Sequence, residues 1–156
     1  MILIADSGST KCSWALVDQQ GNLIKEISTI GFNPYFIDKK NILKELEQSN
    51  LTNYSKEILE VFFYGAGCSS KDKNKIISDS LQSFFINSKI VVKHDIDAAC
   101  YAMYKGNPNI TCILGTGSNS CFYDGKEIIE NAPSLGFLLG DEASGNYFGK
   151  KILSLY

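Results

Sequence analysis

Ile2-Leu-Ile-Ala-Asp-Ser-Gly-Ser-Thr-Lys-Cys-Ser-Trp-Ala-Leu-Val17 decides how the rest of the chain is read. Residues 2–5 and 12–17 are short apolar runs of strand length. Between them, residues 6–11 are glycine, small hydroxyl residues, one acid and one lysine, the composition of a tight turn. A third run, residues 23–30, follows Gln20-Gly21-Asn22, which supplies a second hairpin turn. The chain therefore opens as a meander of strands, beginning almost at Met1.

Gly31-Phe32-Asn33-Pro34 breaks this pattern and predicts a loop. Ile42, Leu43 and Leu46 then recur at helical spacing over residues 39–46. Residues 60–64 read as the next strand, ended by Gly65-Ala66-Gly67, and Ser70 opens a helix with Ile76, Ile77, Leu81 and Phe84 on one side. Residues 89–93 read as a buried strand, and Asp95 or Asp97 caps a helix through Met103. The expected order is β-β-β-α-β-α-β-α. The polar breaker Lys105-Gly-Asn-Pro-Asn109 sets a boundary, giving a first lobe over 1–106 and a second over 107–156. There the plan restarts, with strands at 110–114, 120–123 and 127–129 and a hairpin at Asp124-Gly125. Residues 136–140 then open a helix running from Asp141 towards Tyr156. The restart is a weak internal duplication whose second copy is unfinished.

The bulk composition narrows the chemistry. The chain has 156 residues, 44% of them hydrophobic, which suits one globular domain or one and a half. A net charge of −2 and a pI of 5.4 give no electrostatic reason to expect nucleic acid or an anionic membrane as partner. All 15 basic residues are lysines, so any phosphate must be held by backbone amides, lysine and metal rather than by a guanidinium fork. The five cysteines include no CxxC pair and read as buried thiols of a reducing, cytoplasmic compartment. His94 is the only histidine, which removes Ser-His triads and His-based metal sites. No apolar run approaches the roughly 18 residues of a membrane span. The N-terminus has no basic flank, so no signal peptide is expected.

Four segments could carry chemistry. In Asp6-Ser7-Gly8-Ser9-Thr10-Lys11 successive N–H groups could converge on one anion, Lys11 could add a point charge, and Asp6 could hold magnesium through water. The same residues also make an ordinary polar turn. Gly115-Thr116-Gly117-Ser118-Asn119 is a second such turn at an equivalent place, and two jaws of this kind suit a nucleotide's phosphates. In His94-Asp95-Ile96-Asp97-Ala98-Ala99 a carboxylate at a strand end could accept a proton from a bound hydroxyl; Asp97 is the candidate base and Asp95 the candidate cap. In Gly140-Asp141-Glu142-Ala143-Ser144-Gly145, Asp141 reads first as a helix cap, with binding of sugar hydroxyls as the other reading.

Taken in order, these segments resemble N-acetylglucosamine kinases and the wider BadF/BadG/BcrA/BcrD-type ATPase family. The resemblance rests on Ala5-Asp-Ser-Gly-Ser-Thr-Lys11, Asp97-Ala98-Ala99, residues 115–119, and Gly140-Asp141-Glu142-x-Ser144-Gly145. It implies a ribonuclease-H-like lobe of the actin/hexokinase type followed by the start of a similar lobe. It also implies phosphorylation of N-acetylglucosamine or a related amino sugar on its 6-hydroxyl, with ATP and Mg2+ as cofactors. In it Asp97 is the catalytic base, and Asn33, Ser118, Asn119 and Asp141 face the sugar. Thr116 contacts ATP, alongside Gly8, Ser9, Thr10, Lys11, Gly115 and Gly117 at the phosphates and Asp6 at the metal. Vertebrate members carry Trp-Gly-His where this chain has Leu135-Gly136-Phe137, so the sugar side of the pocket differs. Family chains are about twice as long, and the adenosine-binding motif lies in the part this chain lacks. The 156-residue chain is therefore expected to bind ATP feebly, to turn nothing over alone, and either to self-associate or to show disorder after Asn109; a homodimer is a separate expectation for its partners.

Three other readings stay open. One branch of the family activates dehydratases or reductases through a bridging iron–sulfur cluster, but it carries Gly-Gly-Gln-Asp where this chain has residues 115–119. A ribonuclease-H-like nuclease shares the opening strand-Asp-x-Gly-turn-strand plan, yet needs several carboxylates around two metals and a basic face. A non-catalytic nucleotide- or sugar-binding module is the third.

Overall fold

Every second residue of strand β1 (Ile2–Ser7) faces inward: Leu3, Ala5 and Ser7 are buried, while Ile4 and Asp6 face out. The computed structural model, which describes residues 1–131 and 135–156, continues this alternation into β2 (Lys11–Val17), where Cys12, Trp14 and Leu16 are buried. Strand β3 (Leu23–Ile30) buries only Ile27 and Thr29. The chain divides into two compact units, residues 1–95 and 96–156.

In the first unit β1, β2 and β3 form an antiparallel meander, and β4 (Glu60–Gly65) and β5 (Lys89–His94) extend it in parallel on the other side of β1. The sheet order is β3-β2-β1-β4-β5. Helix α1 (Lys39–Gln48) is capped by the Asp38 carboxylate, which accepts the Asn41 N–H at 2.8 Å. A 3-10 turn at Asn50–Asn53 follows, and Ser70 caps α2 (Lys71–Phe84). The core holds Trp14, Phe32 and Phe63, with ring centroids 5.9–6.3 Å apart. Trp14 donates its indole N–H to the Thr29 hydroxyl at 2.9 Å, so its burial leaves no polar group stranded. Truncating Phe32 or Phe63 to alanine would cost about 3–5 kcal/mol. That packing is the rigid floor under the β1–β2 turn.

The second unit contains nearly all of α3 (Asp95–Met103) and an antiparallel sheet of β6 (Asn109–Leu114), β7 (Ser118–Tyr123) and β8 (Ile128–Asn131). Two short helices follow, α4 (Gly136–Leu139) and α5 (Gly145–Leu153). Ile96 and Cys100 of α3 are buried with Cys121 and Tyr123 of β7. This shared core is why the division falls at the first residue of α3, whereas the polar breaker at 105–109 places it after α3, at 106/107.

The ends of two helices differ from expectation. α3 begins directly after β5, so Asp97 is its third residue rather than its cap. The last helix begins at Gly145, not Asp141. Asp141 and Ala143 have left-handed backbones, with φ of 60° and 62°, so the helix cannot start until Ser144, whose hydroxyl accepts the Tyr147 N–H at 3.1 Å. Among the described residues, no helix is long and apolar enough to cross a membrane.

Candidate active site

In the first unit the turn joining β1 to β2 is closed by the Gly8 N–H donating to the Lys11 carbonyl at 3.0 Å. Gly8, Ser9, Thr10 and Lys11 are exposed, while Ser7 beneath them is fully buried. The loop after β3 grips this turn from behind through three consecutive donors. The Gly31 N–H bonds the Thr10 carbonyl at 3.0 Å, the Phe32 N–H bonds Ser7 Oγ at 2.9 Å, and Asn33 Nδ2 bonds Ser9 Oγ at 2.8 Å. Gly31 lies so close that a Cβ there would sit 2.2 Å from the Gly8 carbonyl oxygen. Asn33 is buried, and its Oδ1 accepts the Tyr35 N–H at 3.0 Å. A Cβ on Gly67 would meet that Oδ1 at 2.5 Å, so the loop after β4 also closes on Asn33.

Asp6 stands at the end of β1 with its side chain outward. Partial desolvation first, and then repulsion from Asp95, raises its pKa above the ordinary aspartate value. Asp95 itself lies 2.5 Å from His94 Nδ1. Asp6 and Asp95 thus share one electrostatic neighbourhood within the first unit. Among the described residues no cluster of three or more His, Cys, Asp or Glu side chains could cage a metal. One or two carboxylates are nevertheless the usual protein share of a magnesium site whose other ligands are phosphates and water.

In the second unit the β6–β7 turn is built on a similar plan. The Gly115 N–H closes it onto the Gly117 carbonyl at 2.9 Å. The segment before α5 then grips it: the Gly145 N–H bonds the Gly115 carbonyl at 2.9 Å, and the Asn146 N–H bonds the Thr116 carbonyl at 3.2 Å. Asp141 Oδ1 accepts the Ser118 N–H at 3.2 Å, and a Cβ on Gly117 would lie 3.1 Å from either carboxylate oxygen. The structure therefore brings Asp141 together with Gly117 and Ser118. Asn119 turns its Oδ1 back onto the Ser120 N–H at 2.9 Å. Asp97 is half-buried in the first turn of α3, beside Ala98 and Ala99.

Sequence reasoning named the two turns but not the backbone donors that hold them, Gly31 and Phe32 behind the first and Gly145 and Asn146 behind the second. The buried cysteines belong to the packing. Burial pushes the thiols of Cys12, Cys68 and Cys121 up to about 12, and Cys100 and Cys121 touch at 3.3 Å between their sulfurs. Only Cys112 is exposed.

No family profile and no curated protein matches the chain. Solved structures do. A candidate N-acetylglucosamine kinase from Porphyromonas gingivalis is 39% identical over 99% of this chain and 55% of its own, with a TM-score of 0.91. A candidate N-acetylglucosamine kinase from Chromobacterium violaceum is 19% identical over 99% of this chain and 55% of its own, with a TM-score of 0.67. A ROK-family glucokinase from Streptomyces griseus, in complex with glucose and AMPPNP, is 17% identical over 81% of this chain and 46% of its own, with a TM-score of 0.54. The chain thus shares the fold of sugar-kinase structures and spans about half the length of each.

Proposed function

We propose that this chain supplies the phosphate-gripping part of an ATP-dependent sugar kinase acting on N-acetylglucosamine or a related amino sugar. One observation supports this best. Each unit carries an exposed glycine turn between two antiparallel strands, closed by a glycine N–H and held from behind by a later glycine's N–H. Such turns place backbone donors where anionic oxygens can sit and keep them from relaxing when charge builds up. In a chain without arginine, backbone amides are left to hold a triphosphate together with lysine and metal. The 39% identity to the Porphyromonas candidate N-acetylglucosamine kinase supports the choice of substrate class.

In this reading Asp97 accepts the proton of the sugar's 6-hydroxyl as that oxygen attacks the terminal phosphorus of ATP, and the bond from that phosphorus to the bridging oxygen breaks, with ADP leaving with the electron pair. The turn at residues 8–11 and the turn at residues 115–117 stabilise the charge on the phosphate oxygens. Asn33, Ser118, Asn119 and Asp141 are assigned to the sugar side. Magnesium, bound with help from Asp6, would supply further charge neutralisation at the phosphates. The repulsion between Asp6 and Asp95 fits such a role, since a cation there relieves it.

The test is a coupled ADP-release assay on a polypeptide that contains this segment and has the length of the matched structures. N-acetylglucosamine, glucosamine and glucose are compared as acceptors, and Asp97→Asn is compared with the parent. N-acetylglucosamine should be preferred, and Asp97→Asn should lower kcat by roughly 10²–10⁴ while leaving nucleotide binding intact. Equal turnover of plain glucose would remove the amino-sugar assignment, and a fully active Asp97→Asn would move the base elsewhere.

A further inference from the structure

Asn33 is buried behind the β1–β2 turn, and its hydrogen bonds have a definite polarity. Its Oδ1 accepts the Tyr35 N–H at 3.0 Å, a donor that cannot be reversed, which leaves Nδ2 facing Ser9 Oγ at 2.8 Å. Ser9 Oγ therefore acts as an acceptor on its inner side. A hydroxyl whose lone pair is already engaged by an N–H must aim its own hydrogen elsewhere. Ser9 is exposed, so a bound anion can reach that hydrogen.

We infer that Asn33 is a positioning residue which fixes the Ser9 hydroxyl as a donor towards an anion held by the β1–β2 turn. The inference rests on the phosphate-turn reading proposed above and gives Asn33 a task separate from contact with sugar. The surroundings hold Asn33 rigidly enough for the task. Phe32, its neighbour, is locked in the aromatic core, and Gly67 leaves just enough room for Oδ1. On the far side Lys73 Nζ lies 4.0 Å from the Tyr35 ring centroid and 3.3 Å from the Pro34 carbonyl, which pins the loop that supplies the Tyr35 N–H.

The substitution that isolates this polarity is Asn33→Asp. It keeps the shape and the acceptor for Tyr35, but offers Ser9 an oxygen, so the Ser9 hydroxyl must turn inward to donate. Binding of Mg-ATP and of inorganic tripolyphosphate to the 156-residue chain would be followed by NMR titration for the parent, N33D, S9A and the double variant. The core tryptophan's fluorescence melt would show that each is folded. We expect S9A and N33D each to weaken both probes about tenfold, the scale of one hydrogen bond to a charged group. The double variant should be no weaker than S9A alone. That non-additivity separates a role through Ser9 from simple repulsion by the new carboxylate, which would persist without Ser9. A second readout needs no ligand: the Asn33 side-chain amide hydrogens should exchange slowly in the parent and faster in S9A. A parent-like N33D, or a full N33D effect surviving in the S9A background, overturns this inference alone. A parent chain that responds to neither probe overturns the phosphate-turn reading, and this inference falls with it.

Discussion

Replacing Gly31 by alanine adds one methyl group at the tightest backbone contact of the first unit. The new Cβ would lie 2.2 Å from the Gly8 carbonyl oxygen, 2.6 Å from the Ser9 carbonyl carbon and 2.8 Å from its oxygen. All three atoms are main chain, so no side chain can rotate aside, and relief requires moving either the turn or the loop behind it. Overpacking of this kind costs about 1–3 kcal/mol. Against it stands a gain of about 0.4–1 kcal/mol from restricting the unfolded chain. For a domain near 100 residues each kcal/mol moves Tm by about 4–8 °C. With all three contacts below 3 Å the cost lies in the upper half of that range, about 2–3 kcal/mol, so a net loss of about 1–2.6 kcal/mol lowers Tm by roughly 4–21 °C. The assay is thermal unfolding followed by the fluorescence of Trp14, the only tryptophan, buried in the first unit's core. Gly149→Ala serves as control, because a Cβ there meets nothing within 4 Å and the site is helical in the second unit. It should leave the Trp14 transition where it was. A Gly31→Ala chain with the parent's Tm or higher would refute the close-contact argument.

Further outcomes follow from the same geometry. Asp6 has a raised pKa, so its contribution to stability is full below the unfolded value of 3.8 and is lost as pH rises through the folded value. Asp6→Asn should therefore melt higher than the parent at pH 7 in the absence of metal, with the difference shrinking towards pH 4. Thiol titration with a disulfide reagent should find one fast cysteine, Cys112, and release the other four only on denaturation, since those are buried; Cys112→Ser should abolish the fast phase. Ile110, 74% exposed, and Leu114, 65% exposed, lie with Cys112 on the outward face of β6, and Phe122 pairs beside Ile110. Sedimentation velocity should show concentration-dependent self-association of the 156-residue chain, and Ile110→Lys should weaken it several-fold.

The sequence spells out what is set locally. The alternation in residues 2–17 yields β1 and β2, Ser70 caps α2 as its position suggests, and the Asp18 and Asp124 carboxylates fold their hairpins by taking nearby N–H groups. The glycine turns at residues 8 and 115–117 are legible for the same reason. What holds them is not, because it comes from residues more than twenty positions away. Residues 31–33 look like a simple breaker, yet they donate to Thr10, Ser7 and Ser9. Asp141 resembles a helix cap because an acid before an amphipathic stretch usually is one. Its left-handed backbone and its bond to Ser118 are set by the β6–β7 turn, which no local pattern encodes. Where the chain divides has the same character: the polar segment at 105–109 is a visible break, while the packing of Cys100 on Cys121 depends on the folded unit.

The glycine turns at residues 8–11 and 115–117 are proposed to receive phosphate oxygens of a nucleotide. Backbone amide shifts of the 15N-labelled 156-residue chain, recorded as Mg-ATP is added, test this claim residue by residue. Weak binding is expected, with the largest shifts at Gly8, Ser9, Thr10 and Lys11 and at Gly115, Thr116 and Gly117. Shifts centred instead on the exposed lysines of α1, at Lys39, Lys40 and Lys44, would reveal unspecific attraction of an anion to a basic helix face and contradict the claim.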